Sequence, residues 1–317
     1  MALADEIIDR QKIRRKMGFW RIVAVAAVAV LLVWALVDVL TGEDGTGRGG
    51  DHIAHVTISG AITGDTELLE RLDKIAESER VKGVIITMNS PGGTTAGGEA
   101  LYDAIKRVSD RKPVVTQVDT LAASAGYMIA AASDHIIARS TSIVGSIGVI
   151  FQYPKIDGLL ETVGVEMRAI KSSPLKAEPS FFGETPPGAE EMIRTMLLDS
   201  FVWFKDLVAA ERSFSETEIN MLADGSVFTG RQALENGLID ALGGMREAES
   251  WLKTQDLSED LPVLEWRKPA AGPNFLFADA GVSWLAERVG MPLRYSLTNE
   301  VKDRLLLNGL LSIWHVE

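Results

Sequence analysis

The chain has 317 residues, 46% of them hydrophobic, with no cysteine and a formal charge of −12. That length holds one large domain or two modest ones with an ample core, and the lack of cysteine excludes a disulfide scaffold and thiolate metal sites. Residues 1–21 carry six bases against three acids, a net of +3, so the remainder stands at −12 − 3 = −15. So acidic a body argues against a nucleic-acid partner, whose phosphates call for clustered Lys and Arg.

The first element along the chain is apolar. Ile22–Val37, IVAVAAVAVLLVWALV, contains no charge and no strong helix breaker. With Met17–Trp20 and Val39–Leu40 added, and Arg21 tolerated near one end, it reaches about 20 residues, enough for a ~30 Å hydrocarbon core. Five bases precede it, unlike a core helix, and its exit at Leu36-Val37-Asp38-Val39 offers no small-x-small cleavage site. The pattern predicts a retained transmembrane anchor over 17–40, preceded by a cytoplasmic segment over 1–16. Bases before the span and Asp38, Glu43 and Asp44 after it set that orientation, with the rest of the chain outside. Residues 41–51 form a Gly-rich linker.

Beyond the linker, strand and helix patterns alternate. Ile53–Gly60 alternates as a strand, and Thr66–Arg80 sets Leu68, Leu69, Leu72, Ile75 and Ala76 on one helical face. VKGVIITM, residues 81–88, is a largely apolar run of the kind found where both faces of a sheet are covered. Glu99–Arg107 reads as helix, Pro113–Asp119 as strand, Leu121–Ser133 as helix and His135–Arg139 as strand. The alternation predicts βαβ units and a largely parallel sheet. Pro187–Arg212 reads as a long helix with Ile193, Met196, Leu197, Phe201, Phe204 and Val208 along one stripe. The folded domain is placed at 52–255. Residues 256–317 are a proline-punctuated extension whose Trp and Phe side chains suit packing on the domain, a contact between subunits or the membrane interface.

Ligands of an open parallel sheet bind beyond the carboxyl ends of its strands, and two segments fall there. MNSPGGTTAGG, Met88–Gly98, follows the 81–88 strand. Pro91 fixes φ and removes a donor, while Gly92 and Gly93 reach backbone angles closed to other residues, so N–H groups can point outward as an oxyanion site requires. A tight strand–helix turn is the plainer reading, and no Gly-Lys-Ser/Thr follows to make a phosphate loop. LAASAGYMIAAAS, Leu121–Ser133, follows the next strand. Ser124 lies near a helix start, where unpaired N–H groups favour developing negative charge, and the Ala125 N–H is a second candidate donor. Close helix packing explains the same small residues, and Ala122 departs from the G-x-S-x-G nucleophile pattern.

NSPGG…AG, then AASAGY, then GSIGV (Gly145–Val149), then DGSVFTGRQALENGLIDALGG (Asp224–Gly244), resembles the signal peptide peptidase A family of membrane-bound serine proteases. The likeness spans roughly residues 53–250. It implies an α/β fold of the Clp-protease/crotonase-like type, with repeated ββα and βαβ units after one transmembrane helix. Two positions depart from the family: Ala125 stands where Gly is common, and Ser226 where Arg is frequent.

A serine hydroxyl needs a base. None of the four histidines is well placed: His52 and His55 lie at the first strand, His135 begins a strand only eleven residues after Ser124, and His315 is near the end. A Clp-type triad would want one about where Gly148–Ile150 stands. Lysine remains, provided that burial disfavours its ammonium and brings it down from about 10.4. IKSSPLKAEPSFF, Ile170–Phe182, offers Lys171 and Lys176, the latter in the less polar setting. The resemblance implies Lys176 as general base, Ser146 as the serine that orients its amine, Ser124 as nucleophile, and backbone N–H groups near Gly92, Gly93 and Ala125 as the oxyanion hole.

The function implied is a membrane-anchored serine endopeptidase of the bacterial inner membrane, facing outward and degrading remnant signal peptides, with no metal or cofactor. The resemblance further implies a homo-oligomeric, octameric ring in which Ser and Lys come from adjacent subunits. Rival readings are a crotonase-like acyl-thioesterase or hydratase, which would use carboxylates and need no anchor, and an inactive membrane scaffold.

Overall fold

The computed structural model describes residues 50–258 and 260–267, with Val25, Ala26, Ala29 and the backbone of 311–313. It divides into two units, 1–51 and 52–317. The anchor expected at 17–40 lies outside the described residues apart from Val25, Ala26 and Ala29, which are helical. Among the described residues, no helix is long and apolar enough to cross a membrane.

The second unit is built on an eight-stranded sheet. Strands β1 (His52–Ser59), β2 (Val81–Ser90) and β4 (Val114–Ala123) lie side by side and parallel, giving the order β1-β2-β4. Beyond β4 the sheet forks. β5 (His135–Ala138) pairs with Val115–Val118 of β4, and β6 (Ile143–Gly145) pairs with Leu121–Ala123 of the same strand. β7 (Val227–Thr229) adds antiparallel to β6, β8 (Ala241–Leu242) parallel to β5, and β9 (Val263–Glu265) parallel to β1 on the other side. The sheet thus takes in residues past 255. Trp266, just after β9, is buried and donates its indole N–H to His52 Nε2 at 3.1 Å.

The strand pattern follows from two-sided burial. In β2, Val84, Ile86 and Met88 join the larger core while Ile85 faces a smaller one with Ile53, Val115, Ile137, Ala248 and Leu252. Each such aliphatic side chain contributes roughly 1.5–3 kcal/mol when fully buried. Helix α1 (Thr66–Glu77) is capped by Asp65, whose Oδ1 accepts the Leu68 N–H at 3.1 Å, and it buries Leu68, Leu72, Ile75 and Ala76 on the larger core. The short strand β3 (Gly92–Thr94) leads into α2 (Thr95–Ser109), capped by Thr94.

The helix expected over 121–133 is shorter than its composition suggests. Leu121–Ala123 remain strand because β6 pairs with them, and α3 covers only Ala125–Ala131, every residue buried. Small side chains here serve a strand end and a helix start in succession. After β6 come α4 (Asp157–Thr162) and α5 (Ala189–Arg212). Of the expected stripe on α5, Phe204 and Val208 are buried, but Met196 is exposed together with Met192, Leu198 and Val202. Among the described residues, little covers its first half. Helices α6 (Glu216–Leu222), α7 (Gly230–Glu235) and α8 (Met245–Lys253) complete the unit.

Candidate active site

Ser124 sits between β4 and α3 at φ 57°, ψ −122°, a conformation that costs a non-glycine residue of order 1–3 kcal/mol. The surroundings hold it there. Its N–H donates to the Gly145 carbonyl at 2.8 Å, and its own carbonyl accepts from Tyr127 N at 2.9 Å and Met128 N at 3.0 Å. The side chain makes no capping bond to the helix, and Ala125 and Gly126, ahead of those two donors, stand where a helix offers its N–H groups no carbonyl one turn back. Tyr127, directly behind, is wholly buried with its hydroxyl donated to Leu238 O at 2.8 Å, and burial pushes its ionisation up so that it stays neutral.

The Pro91–Thr94 turn packs beside this helix start. Gly92 has φ 108°, open only to glycine at low cost. Its N–H donates to Ser90 Oγ at 3.1 Å, and its carbonyl accepts from Ile62 N at 2.8 Å. Thr94 N donates to Ile62 O at 2.8 Å, so a Cβ on Gly93 would stand 1.9 Å from that same carbonyl. Only glycine fits. Because alternate residues of an extended segment face opposite edges, the N–H and C=O of Gly93 face away from Ile62. On that edge β10 (Leu311–Ile313) pairs antiparallel, with Ser312 opposite Gly93.

Ser146 immediately follows Gly145, the residue that holds Ser124. It too has positive φ, 53°, and its N–H donates to Ser226 O at 2.7 Å. Ser226 N in turn donates to Asp224 Oδ1 at 2.9 Å, and hydrogen bonds from Ser226 hold the Asp224 carboxyl below its usual range. Ser226 thus acts on this neighbourhood through its main chain. Ser146 also lines a groove of about 450 Å³ whose walls include Ile147, Val149, Leu197 and Phe201, with Arg194 at its edge.

Of the two candidate lysines, Lys171 is ion-paired with Glu178, whose carboxyl is held below its ordinary value chiefly by that hydrogen bond. That contact holds the Lys171 amine on a carboxylate and away from any serine hydroxyl. Lys176 is exposed, its N–H bonded to Ser173 O at 3.2 Å, and the next residue, Ala177, has φ 59°. The structure therefore joins Ser124, Ala125, Gly93 and Ser146 into one neighbourhood of strand ends, and it leaves Lys176 on an open loop. The described histidines are engaged elsewhere. His55 Nε2 is 2.8 Å from Thr87 Oγ1, and His135 stacks on Trp251 at 4.8 Å; burial lowers the pKa of both. Residues missed from sequence are Ser90 and the Gly145 and Ser226 carbonyls. Ser90 stood in plain view inside NSPGG, whereas main-chain acceptors leave no signal in side-chain identity.

The sequence profile of peptidase family S49 matches residues 106–258, and that of Clp protease matches residues 54–143. A putative protease of Synechocystis sp. is 37% identical over 204 residues, covering 64% of this chain and 73% of that one. A putative signal peptide peptidase SppA of Enterococcus faecium is 32% identical over 259 residues, covering 77% of this chain and 73% of its own length. Protease 4 of Haemophilus influenzae is 31% identical over 212 residues, covering 66% of this chain and 32% of the longer relative. With a Clp-like α/β domain and relatives matched over most of their length, this chain belongs to peptidase family S49 and is a serine-type peptidase.

Proposed function

We propose that the chain is a membrane-anchored endopeptidase that cleaves remnant signal peptides and similar short apolar peptides outside the cytoplasm, with Ser124 as nucleophile and Lys176 as general base. The observation that carries this reading is the strained Ser124, pinned by Gly145 at a buried helix start beside the Gly92–Gly93 turn. Profiles of both families overlap over residues 106–143, the segment that contains Ser124.

In the reaction, Ser124 Oγ attacks the peptide carbonyl carbon as Lys176 Nζ takes its proton. The N–H groups of Gly93 and Ala125 hold the resulting oxyanion, a contribution of about 10²–10³ in rate per donor. Collapse breaks the C–N bond, and Lys176 returns the proton to the departing amine. Water, deprotonated by Lys176, then attacks the acyl-serine; the acyl C–Oγ bond breaks, Lys176 gives the proton to Ser124 Oγ, and the second product leaves with its new carboxyl group. Ser146 hydrogen-bonds the lysine amine and aims it. An extended substrate adds antiparallel along the Gly93 edge, in the place that β10 takes in this structure. The apolar groove beside Ser146 suits the side chains of a signal-peptide remnant.

Lys176 must be neutral to serve as base, yet its own chain leaves it exposed. Around it Ile170, Leu175, Phe181 and Phe182 are also exposed, as are Ile150 and Leu159. A second copy covering these residues would desolvate the amine, which supports a homo-oligomer, such as an octameric ring, with the pair shared between subunits. The anchor at 17–40 would keep the cleft near the bilayer from which its substrates emerge.

A fluorophosphonate probe tests the reading on detergent-solubilised full chain. Labelling is expected on Ser124, lost in Ser124→Ala and in Lys176→Ala. Wild-type protein that takes no label would return the chain to the scaffold reading.

A further inference from the structure

Ser90 has no part in the chemistry above, although it stands at the centre of the proposed site. It ends β2, is wholly buried, and pairs with Ala122 across a bulge in the β2–β4 ladder. Its Oγ lies 2.7 Å from Gly60 O and 3.1 Å from Gly92 N. A hydroxyl has one proton and two lone pairs, so Ser90 donates to Gly60 and accepts from Gly92. The Gly92 carbonyl, at 3.5 Å, is at the outer limit and takes the Ile62 N–H instead.

The same residue braces the nucleophile helix. A Cβ on Gly126 would stand 2.9 Å from the Ser90 carbonyl oxygen and 3.3 Å from its Cβ. One buried residue therefore touches both the turn that presents Gly93 and the helical turn that presents Ala125. We propose that Ser90 is a positioning residue that sets the gap between these two N–H groups, turning the Gly92 N–H inward so that the Gly93 N–H faces the reacting carbonyl. The proposal rests on the Ser124 peptidase reading and deepens it.

Removing the hydroxyl strips Gly92 N–H of its acceptor and Gly60 O of its donor. The turn between them then loses the tie that fixes its peptide planes. Oxyanion donors act only within about 2.7–3.1 Å of the developing charge, so the loss falls on the transition state more than on ground-state binding.

The test compares full-length wild type with Ser90→Ala, Ser90→Cys and Ser124→Ala in detergent. Four quantities are read: kcat and KM on an apolar peptide, affinity for a peptide boronate, and affinity for the matching peptide amide. The boronate forms a tetrahedral adduct on Ser124 with an oxygen in the oxyanion position; the amide makes only ground-state contacts. Ser90→Ala is expected to lower kcat about ten- to a hundredfold with KM within about threefold, and to weaken the boronate in proportion while sparing the amide. Ser90→Cys, with a weak donor and acceptor, should fall between, and it carries the test should the alanine variant not fold. An unchanged kcat, or equal losses for boronate and amide, would overturn the proposal. Failure of wild type itself to bind boronate in a Ser124-dependent way would sink the peptidase mechanism instead.

Discussion

Residues 81–131 hold the proposed nucleophile and oxyanion donors, and residues 150–202 hold the proposed base, but the chain covers these two regions to very different degrees. In the first, Ser90, Gly92, Gly93 and all of α3 are buried, and each main-chain angle out of the ordinary has a named hydrogen bond holding it. In the second, Ile170, Leu175, Phe181, Phe182, Met192, Met196, Leu198 and Val202 are exposed. Exposed apolar side chains of this kind are what the proposed second copy would cover. One half of the proposed site is therefore fixed by the fold, while the half proposed to carry the base leaves its apolar side chains in the open.

The largest test of that contrast removes one member from each half. Ser124→Ala and Lys176→Met should each cost at least about 10³-fold in peptide hydrolysis, with melting temperature and sedimentation unchanged. Mixed together under conditions of subunit exchange, the two inactive variants should regain part of the activity if the pair spans two subunits. No recovery from well-mixed assemblies would place Ser and Lys within one chain. Next comes the apolar surface: if a second copy covers it as proposed, Phe182→Asp should split that oligomer on a sedimentation profile and lower activity by about 10²-fold, since the Lys176 amine would lose that cover. A dispersed yet fully active protein would mean that Lys176 needs no neighbour.

Smaller effects separate the regions by packing. Gly126→Ala forces a methyl to within 2.9 Å of the Ser90 carbonyl and should cost about 1–3 kcal/mol, with a matching fall in kcat. Gly158→Ala, in α4 with nothing within 4 Å of the added carbon, should be neutral or stabilise by about 0.4–1 kcal/mol. Thermal denaturation of the pair reads the difference directly.

How far the sequence told this story varied along the same divide. The parallel sheet was legible because runs such as VKGVIITM are apolar on both faces and separated by helical stripes. Ser124 and the Pro-Gly-Gly turn were legible because strand ends in such a sheet form the site. The limits of α3 were not, since Ala122 and Ala123 are small enough for strand or helix and the choice was made by pairing with β6. Nor was β9, a three-residue strand placed by Trp266 and His52 long after the pattern had broken up. Lys176 stood ahead of Lys171 in the sequence by its less polar neighbours and the family resemblance, whereas the Glu178 contact that engages Lys171, seven residues away, left no sign there. Ser226 looked like a departure from its family, yet its main-chain oxygen is what Ser146 uses.

Acid should distinguish the two regions last and most gently. The Glu178 carboxyl is held below its ordinary value of 4.5, first by its hydrogen bond to Lys171 and further by the Ser180 N–H. A carboxyl depressed on folding stabilises the fold fully above its unfolded value, and that contribution is lost as pH falls through the folded one. The loop that carries Lys176 should therefore loosen as pH drops below 4.5, while the contacts among Ser90, Gly92, Gly126 and Gly145 contain no titrating side chain and should not respond there. Hydrogen exchange at two pH values, corrected for intrinsic rates, reads both regions in one experiment. Glu178→Gln should abolish the difference in residues 171–180 and leave 90–126 as it was. An unaltered acid response in that variant would mean that the loop is held by something other than the Lys171 pair, and with it would go the structural reason for setting Lys171 aside as the base, leaving only the sequence setting and the resemblance.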